Sequence, residues 1–224
     1  MRLFIANFFL IIKMAATKNL VTFYLFVYNL LQWGAWLYVL TTQMGMAYAA
    51  GGDTSPAKLW QAVGKVGWWA CNAAILELIH ALAGFVSSSP MTVFLQLCAR
   101  LPVVHLVYFI PELQNQWGIH QALLAYGCVE TTRYLFYAWS LYAEPPYALT
   151  WLRYSIFLCD YPLGLMGEMW VWYGASRVVR GDLVYACYML LACYPPGMVW
   201  LYLQVLRLRR KKLGSSVKKA KGKS

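Results

Sequence analysis

The chain has 224 residues, of which 61% are hydrophobic and 12% charged, with 11 Trp and 17 Tyr. A soluble domain carries about 25% charged residues, so the composition excludes a soluble fold and indicates a single-domain integral membrane protein. The net charge of +11 would suggest a nucleic-acid partner in a soluble chain, but nine Lys/Arg fall between Arg207 and Lys223; this is the pattern of a cytoplasmic anchor, and no nucleic acid is expected.

Residues 1–19 hold an apolar run behind Arg2 that is too short to cross a bilayer, with Lys13 and Lys18 after it, and are expected to form an uncleaved amphipathic lead-in. The first span is expected over 20–42, followed by a polar loop over 43–60 with Gly51, Gly52, Asp53, Ser55 and Pro56. A second span, 61–86, carries Glu77 and His80 three residues apart and stops at three serines and Pro90; a third, 91–110, holds Gln96, Arg100 and His105. The fourth, 119–143, holds Glu130 and Arg133, the fifth covers 151–173, and the sixth, 183–206, contains a Pro195-Pro196 pair expected to kink it. The expected fold is therefore all-α: a six-helix transmembrane domain over 20–206 surrounding a polar chamber, with a basic cytoplasmic tail over 207–224. An even number of spans puts both termini in the cytoplasm, in agreement with Arg2, Lys13 and Lys18 and against only Arg177 and Arg180. Six cysteines, scattered without CxxC spacing, read as buried small hydrophobes, with neither a disulfide framework nor a zinc site. His80 and His105 are too isolated for a metal site and read as packed or hydrogen-bonding residues.

Charge inside the spans is the informative feature. Glu77, Glu130, Asp160 and Glu168 lie there with Arg100, Arg133 and Arg153. At about 2.5 to 3.5 kcal/mol each, seven unpaired groups would cost about 20 kcal/mol, so they must face one another inside the bundle. Glu130 with Arg133 is the pair expected to be structural; the arginines also suit an anionic headgroup or a coenzyme phosphate. In the fifth span Tyr161 and Glu168 are seven residues apart, hence on one helix face and about 10 Å apart along the axis, with Pro162 and Gly164 between them expected to bend the helix. A phenol and a carboxylate in a dry crevice suggest proton transfer. By residues alone the alternative is a non-catalytic membrane scaffold or transporter, its buried charges forming a relay or holding the bundle together.

Five blocks, in order, carry a resemblance: YNLLQWGAW at 28–36, LELIHALAGFVSSSP at 76–90, QLCAR at 96–100, ETTRYLFYAWSL at 130–141 and WLRYSIFLCDYPLGLMGE at 151–168. The chain resembles the very-long-chain (3R)-3-hydroxyacyl-CoA dehydratases of the endoplasmic reticulum, a family also called protein tyrosine phosphatase-like. The resemblance implies a hydro-lyase that converts (3R)-3-hydroxyacyl-CoA to trans-2-enoyl-CoA, the third step of fatty-acid elongation. It also implies an endoplasmic reticulum location and contact with a condensing enzyme and two reductases in the membrane. It further implies Tyr161 and Glu168 as the catalytic pair, with Glu77, Gln96, Arg100, Glu130, Arg133, Arg153 and Gly164 supporting fold or substrate. No metal and no separate cofactor is expected, coenzyme A being part of the substrate. The chain departs from the family's usual pattern in two places. It has Tyr126, Gly127 and Cys128 where a bulky residue and Trp-Ser usually precede the glutamate, and Asp160 stands directly before Tyr161. Phosphatase chemistry is not expected, because the position six residues after Cys159 is Leu165 and not a phosphate-binding arginine.

Overall fold

The computed structural model describes the backbone of residues 2–51 and 54–221, with side chains described from Lys18 to Leu213 apart from 52, 53, 198, 201 and 212. Gly52 and Asp53 of the expected loop, and the side chains of Arg2, Lys13 and the lysines beyond 213 used to orient the chain, lie outside the described residues.

Eight α-helices and one short 3-10 turn make up the described chain: α1 (Arg2–Ala49), α2 (Pro56–Ala73), α3 (Ile75–Leu82), α4 (Pro90–Phe109), the turn Pro111–Asn115, α5 (Trp117–Ser140), α6 (Tyr147–Arg153), α7 (Phe157–Val178) and α8 (Asp182–Lys221). The all-helical class holds. Among the described residues, three helices are long and apolar enough to cross a membrane, namely Lys18–Ala49 of α1, Pro90–Phe109 and Asp182–Lys211 of α8.

Several boundaries differ from the sequence expectation. The lead-in and first span form one uninterrupted helix, and α1 runs on to Ala49, so the expected loop contracts. Ser55 caps α2 by accepting from the Lys58 N–H at 3.4 Å, with Pro56 at the first helical position, where its missing donor costs nothing. The second expected span is two helices, broken at Ala74 with no proline or glycine to mark the place. The fifth is also two: residues 154–156 separate α6 from α7, so Arg153 ends a short helix and does not share one with Glu168. Helix α7 continues through Pro162, whose ring removes the donor to the Leu158 carbonyl; that carbonyl instead accepts from the Tyr202 hydroxyl of α8 at 3.4 Å. Likewise α8 passes through Pro195 and Pro196 as one helix.

The helices are arranged around α5. Residue matches Phe26 with Tyr142, Gln32 with Tyr134 and Leu40 with Gly127 show α1 running antiparallel to it. On its other side α7 is also antiparallel and approaches to backbone contact. A Cβ at Gly167 would lie 2.6 Å from the Ala122 nitrogen and 2.7 Å from the Gly118 carbonyl, and one at Gly164 would lie 3.1 Å from the Ala125 Cβ. Glycine at 164 and 167 therefore sets the α5–α7 spacing, as small residues do between membrane helices. The core, to which α2 and α4 also contribute, includes Trp36, Val63, Val104, Leu123, Tyr134 and Val171, all fully buried.

The cysteines divide. Cys71 and Cys187 are buried as expected, whereas Cys98, Cys159 and Cys193 are exposed on the outside of the helices, where thiols can face lipid as readily as a core.

Candidate active site

Helix α5 presents Tyr126, Glu130, Arg133 and Tyr134 at i, i+4, i+7 and i+8, one stripe of a helix turned inward. Around the lower half of this stripe the buried charges pair completely. Arg133 donates to Glu130 Oε2 from Nε at 2.5 Å and to both Glu77 oxygens at 2.7 and 2.8 Å; it also donates to the Tyr134 hydroxyl at 2.8 Å. The other oxygen of Glu130 takes Arg100 at 2.6 Å. The result is an alternating chain, Arg100–Glu130–Arg133–Glu77, with two positive and two negative charges and no net charge.

Neighbouring phenols and an amide complete it. Tyr134 donates a short hydrogen bond to Glu77, and Gln32 donates to Tyr134 at 3.2 Å and to the Ala70 carbonyl at 3.1 Å. Every strong acceptor on Glu77 and Glu130 thus meets a donor, which is the condition for burying charge without a large penalty. The expectation that the intramembrane charges face one another holds for these four.

The remaining candidates sit beside this chain. Glu168, on α7, is buried at 9% exposure and accepts from the Tyr126 hydroxyl at 2.5 Å. Tyr194 of α8 lies against the same carboxyl group while accepting from Trp172 Nε1 at 2.9 Å. Tyr161 is half-buried on the same helix, within electrostatic reach of Glu168 and Arg100, and its hydroxyl has no hydrogen-bond partner among the described residues. Asp160, half-buried next to Tyr161, is within electrostatic reach of Cys128, Arg100 and Glu130 and forms no salt bridge among the described residues. Arg100 joins the two groups: bonded to Glu130, it lays its guanidinium over the Tyr126 ring at 4.3 Å, with its side chain 19% exposed.

Two supporting candidates stand apart. Arg153, the last residue of α6 before the break at 154–156, is 5.8 and 5.7 Å from the centroids of Tyr137 and Tyr154, and its nearest hydrogen bond, to the Tyr137 hydroxyl, is a long 3.5 Å. The guanidinium facing Glu168 is that of Arg100. Gln96, one turn before Arg100 on α4, is exposed. Gly164 packs against α5, where an added Cβ would lie 3.1 Å from the Ala125 Cβ. His80 shares a hydrogen bond with the Tyr24 hydroxyl at 2.9 Å and His105 Nδ1 donates to the Leu101 carbonyl at 2.7 Å, as hydrogen-bonding histidines should. An apolar groove of 290 Å³ between α1 and the end of α5, lined by Phe26, Leu30, Leu135 and Trp139, contains none of the candidate residues.

The sequence alone assigns no role to Tyr126, Tyr194, Gly167 or the Tyr28/Gln32/Tyr134 cluster. Two signals were available: the shared face of Tyr126 with Glu130 and Arg133, and the three-residue spacing of Gly164 and Gly167 next to Glu168.

Fold and site together define an all-helical membrane protein in which one buried acid, held by phenols, sits beside a neutral arginine–glutamate chain. The chain belongs to the protein tyrosine phosphatase-like family, PTPLA, which matches residues 71–215. It is similar to the very-long-chain (3R)-3-hydroxyacyl-CoA dehydratase 1 of Ovis aries, 32% identical over 215 residues, 88% of this chain and 74% of the relative. It is also similar to a probable very-long-chain (3R)-3-hydroxyacyl-CoA dehydratase of Schizosaccharomyces pombe, 33% identical over 84% of this chain and 91% of the relative. A Caenorhabditis elegans dehydratase of the same description is 32% identical over 88% of this chain and 97% of the relative. No solved structure matches the chain.

Proposed function

We propose that this protein is a hydro-lyase that removes water from a (3R)-3-hydroxyacyl-CoA to give the trans-2-enoyl-CoA, the third step of long- and very-long-chain fatty-acid elongation, with Tyr161 and Glu168 as its acid–base pair. The activity follows the names of relatives aligned over most of the chain. The observation that carries the site is the contrast between Glu168, an acid outside the neutral ion-pair chain, and Tyr161, a phenol on the same helix with its hydroxyl unpartnered among the described residues.

Dehydration needs a base for the C2 proton and an acid for the C3 hydroxyl. One member of the pair takes the C2 proton, the C2–H electron pair becomes the C2=C3 double bond, and the C3–O bond breaks. The departing oxygen takes a proton from the other member and leaves as water. No electrons pass to a carrier, so the step calls for no redox cofactor, and coenzyme A arrives as part of the substrate. Arg100, partly exposed beside Tyr161, is suited to face the thioester oxygen as negative charge builds there. Glu77, Glu130, Arg133 and Gly164 hold the helices; Gln96 and Arg153 stand further out, toward the rest of the substrate.

Six crossings are part of the same reading. Helices α5 and α7, with 24 and 22 residues, are about 36 and 33 Å long at 1.5 Å per residue, enough for a hydrocarbon core of about 30 Å. They fall short of the hydropathy of the outer spans because they hold polar groups that face protein, not lipid. With α2 and α3 together as one crossing, both termini lie on one side, which the basic tail makes cytoplasmic, in the endoplasmic reticulum membrane beside a condensing enzyme and two reductases.

The test uses purified protein in detergent and a long-chain (3R)-3-hydroxyacyl-CoA, following loss of water by mass and enoyl-CoA by absorbance. Wild type is expected to turn over, and Glu168→Gln to lose about 100-fold or more in kcat. A folded wild type that is inert with this substrate returns the protein to the scaffold reading.

A further inference from the structure

Tyr126 lies at the centre of the site, between Glu168 and Arg100. Its side chain is fixed on three sides. The hydroxyl donates to Glu168 Oε1 at 2.5 Å, the ring face carries the Arg100 guanidinium at 4.3 Å, and the ring edge meets Trp36 with centroids 6.1 Å apart at 88°. Arg100 is itself bonded to Glu130 at 2.6 Å, so the ring is anchored to the ion-pair chain that holds the bundle together. The residue is 7% exposed.

A glutamate side chain has three torsions, and a carboxyl group that exchanges protons must present one oxygen to the substrate in a narrow range of orientations. A phenol held rigidly by its ring and bonded by its hydroxyl supplies that restriction. We infer that Tyr126 is a positioning residue for Glu168, locking its carboxyl group in one orientation and tying it through the stacked Arg100 to the Arg100–Glu130–Arg133–Glu77 chain. Tyr126 keeps its proton throughout and acts through Glu168, not on the substrate. The inference rests on the dehydratase reading of the same site.

Tyr126→Phe separates the hydroxyl from the ring, since phenylalanine keeps the faces that Arg100 and Trp36 pack against. With a long-chain (3R)-3-hydroxyacyl-CoA, kcat is expected to fall about ten-fold while KM and the unfolding temperature stay near wild type. In a Glu168→Asp background, whose carboxyl group is one methylene shorter and draws away from the hydroxyl, adding Tyr126→Phe should change the residual kcat less than about two-fold. The inference is overturned if Tyr126→Phe has wild-type kcat, if its loss is equally large in the Glu168→Asp background, or if the loss follows a drop in unfolding temperature. Failure of the underlying reading looks different: wild type is then inert, or Glu168→Gln turns over normally.

Discussion

The Arg100–Glu130–Arg133–Glu77 chain and the Glu168–Tyr161 neighbourhood lie side by side and both hold glutamate among phenols, yet one is closed and the other open. In the first, four charges alternate, four of the Arg133 N–H bonds reach acceptors, and phenols fill what remains. In the second, a carboxyl group has phenols for neighbours and no salt bridge among the described residues, and Tyr161 of its own helix has a hydroxyl with no partner among the described residues. A closed polar network specifies how helices meet; an open one has capacity left for a ligand. Intramembrane charge by itself does not distinguish the two uses, and satisfaction does.

The contrast can be broken in order of size. Glu130→Ala should have the largest effect on the fold: it leaves Arg100 and Arg133 facing each other without their shared carboxylate, at a cost of about 3 to 5 kcal/mol. The expected result is loss of a monodisperse species in detergent by size-exclusion chromatography. Gly167→Ala should come next. Its Cβ would meet the α5 backbone at 2.6 Å, so α7 must move away at a cost of about 1 to 3 kcal/mol and carry Glu168 with it. Thermal unfolding and kcat should both fall. Arg153→Gln should be the smallest, under about 1 kcal/mol in denaturation, because its ring contacts are at the edge of range and its hydrogen bond is long. A large loss of stability there would mean that the closed network extends to α6.

Much of this was legible in the sequence and some was not. The high cost of unpaired charge requires Glu77, Glu130, Arg100 and Arg133 to find partners, whatever the fold. Which partner each one takes depends on how α1, α3, α4 and α5 meet, and no spacing within one helix reveals that Glu77 and Arg133 pair across 56 positions. The breaks at Ala74 and at 154–156 carry no proline or glycine, so periodicity runs through them; Pro162, Pro195 and Pro196 do carry the signal and do not interrupt their helices. Tyr126 shares a helix face with Glu130 and Arg133, yet a tyrosine in an apolar run reads as packing until the acid it binds is placed beside it.

The most direct test of the two roles compares Tyr161→Phe with Glu77→Gln by thermal unfolding and by turnover of a long-chain (3R)-3-hydroxyacyl-CoA. Tyr161→Phe removes a hydroxyl with no partner among the described residues and should unfold like wild type while losing about 100-fold or more in kcat. Glu77→Gln should unfold at lower temperature, having weakened the closed chain. A Tyr161→Phe protein that dehydrates its substrate at the wild-type rate would contradict the assignment of the open site to catalysis.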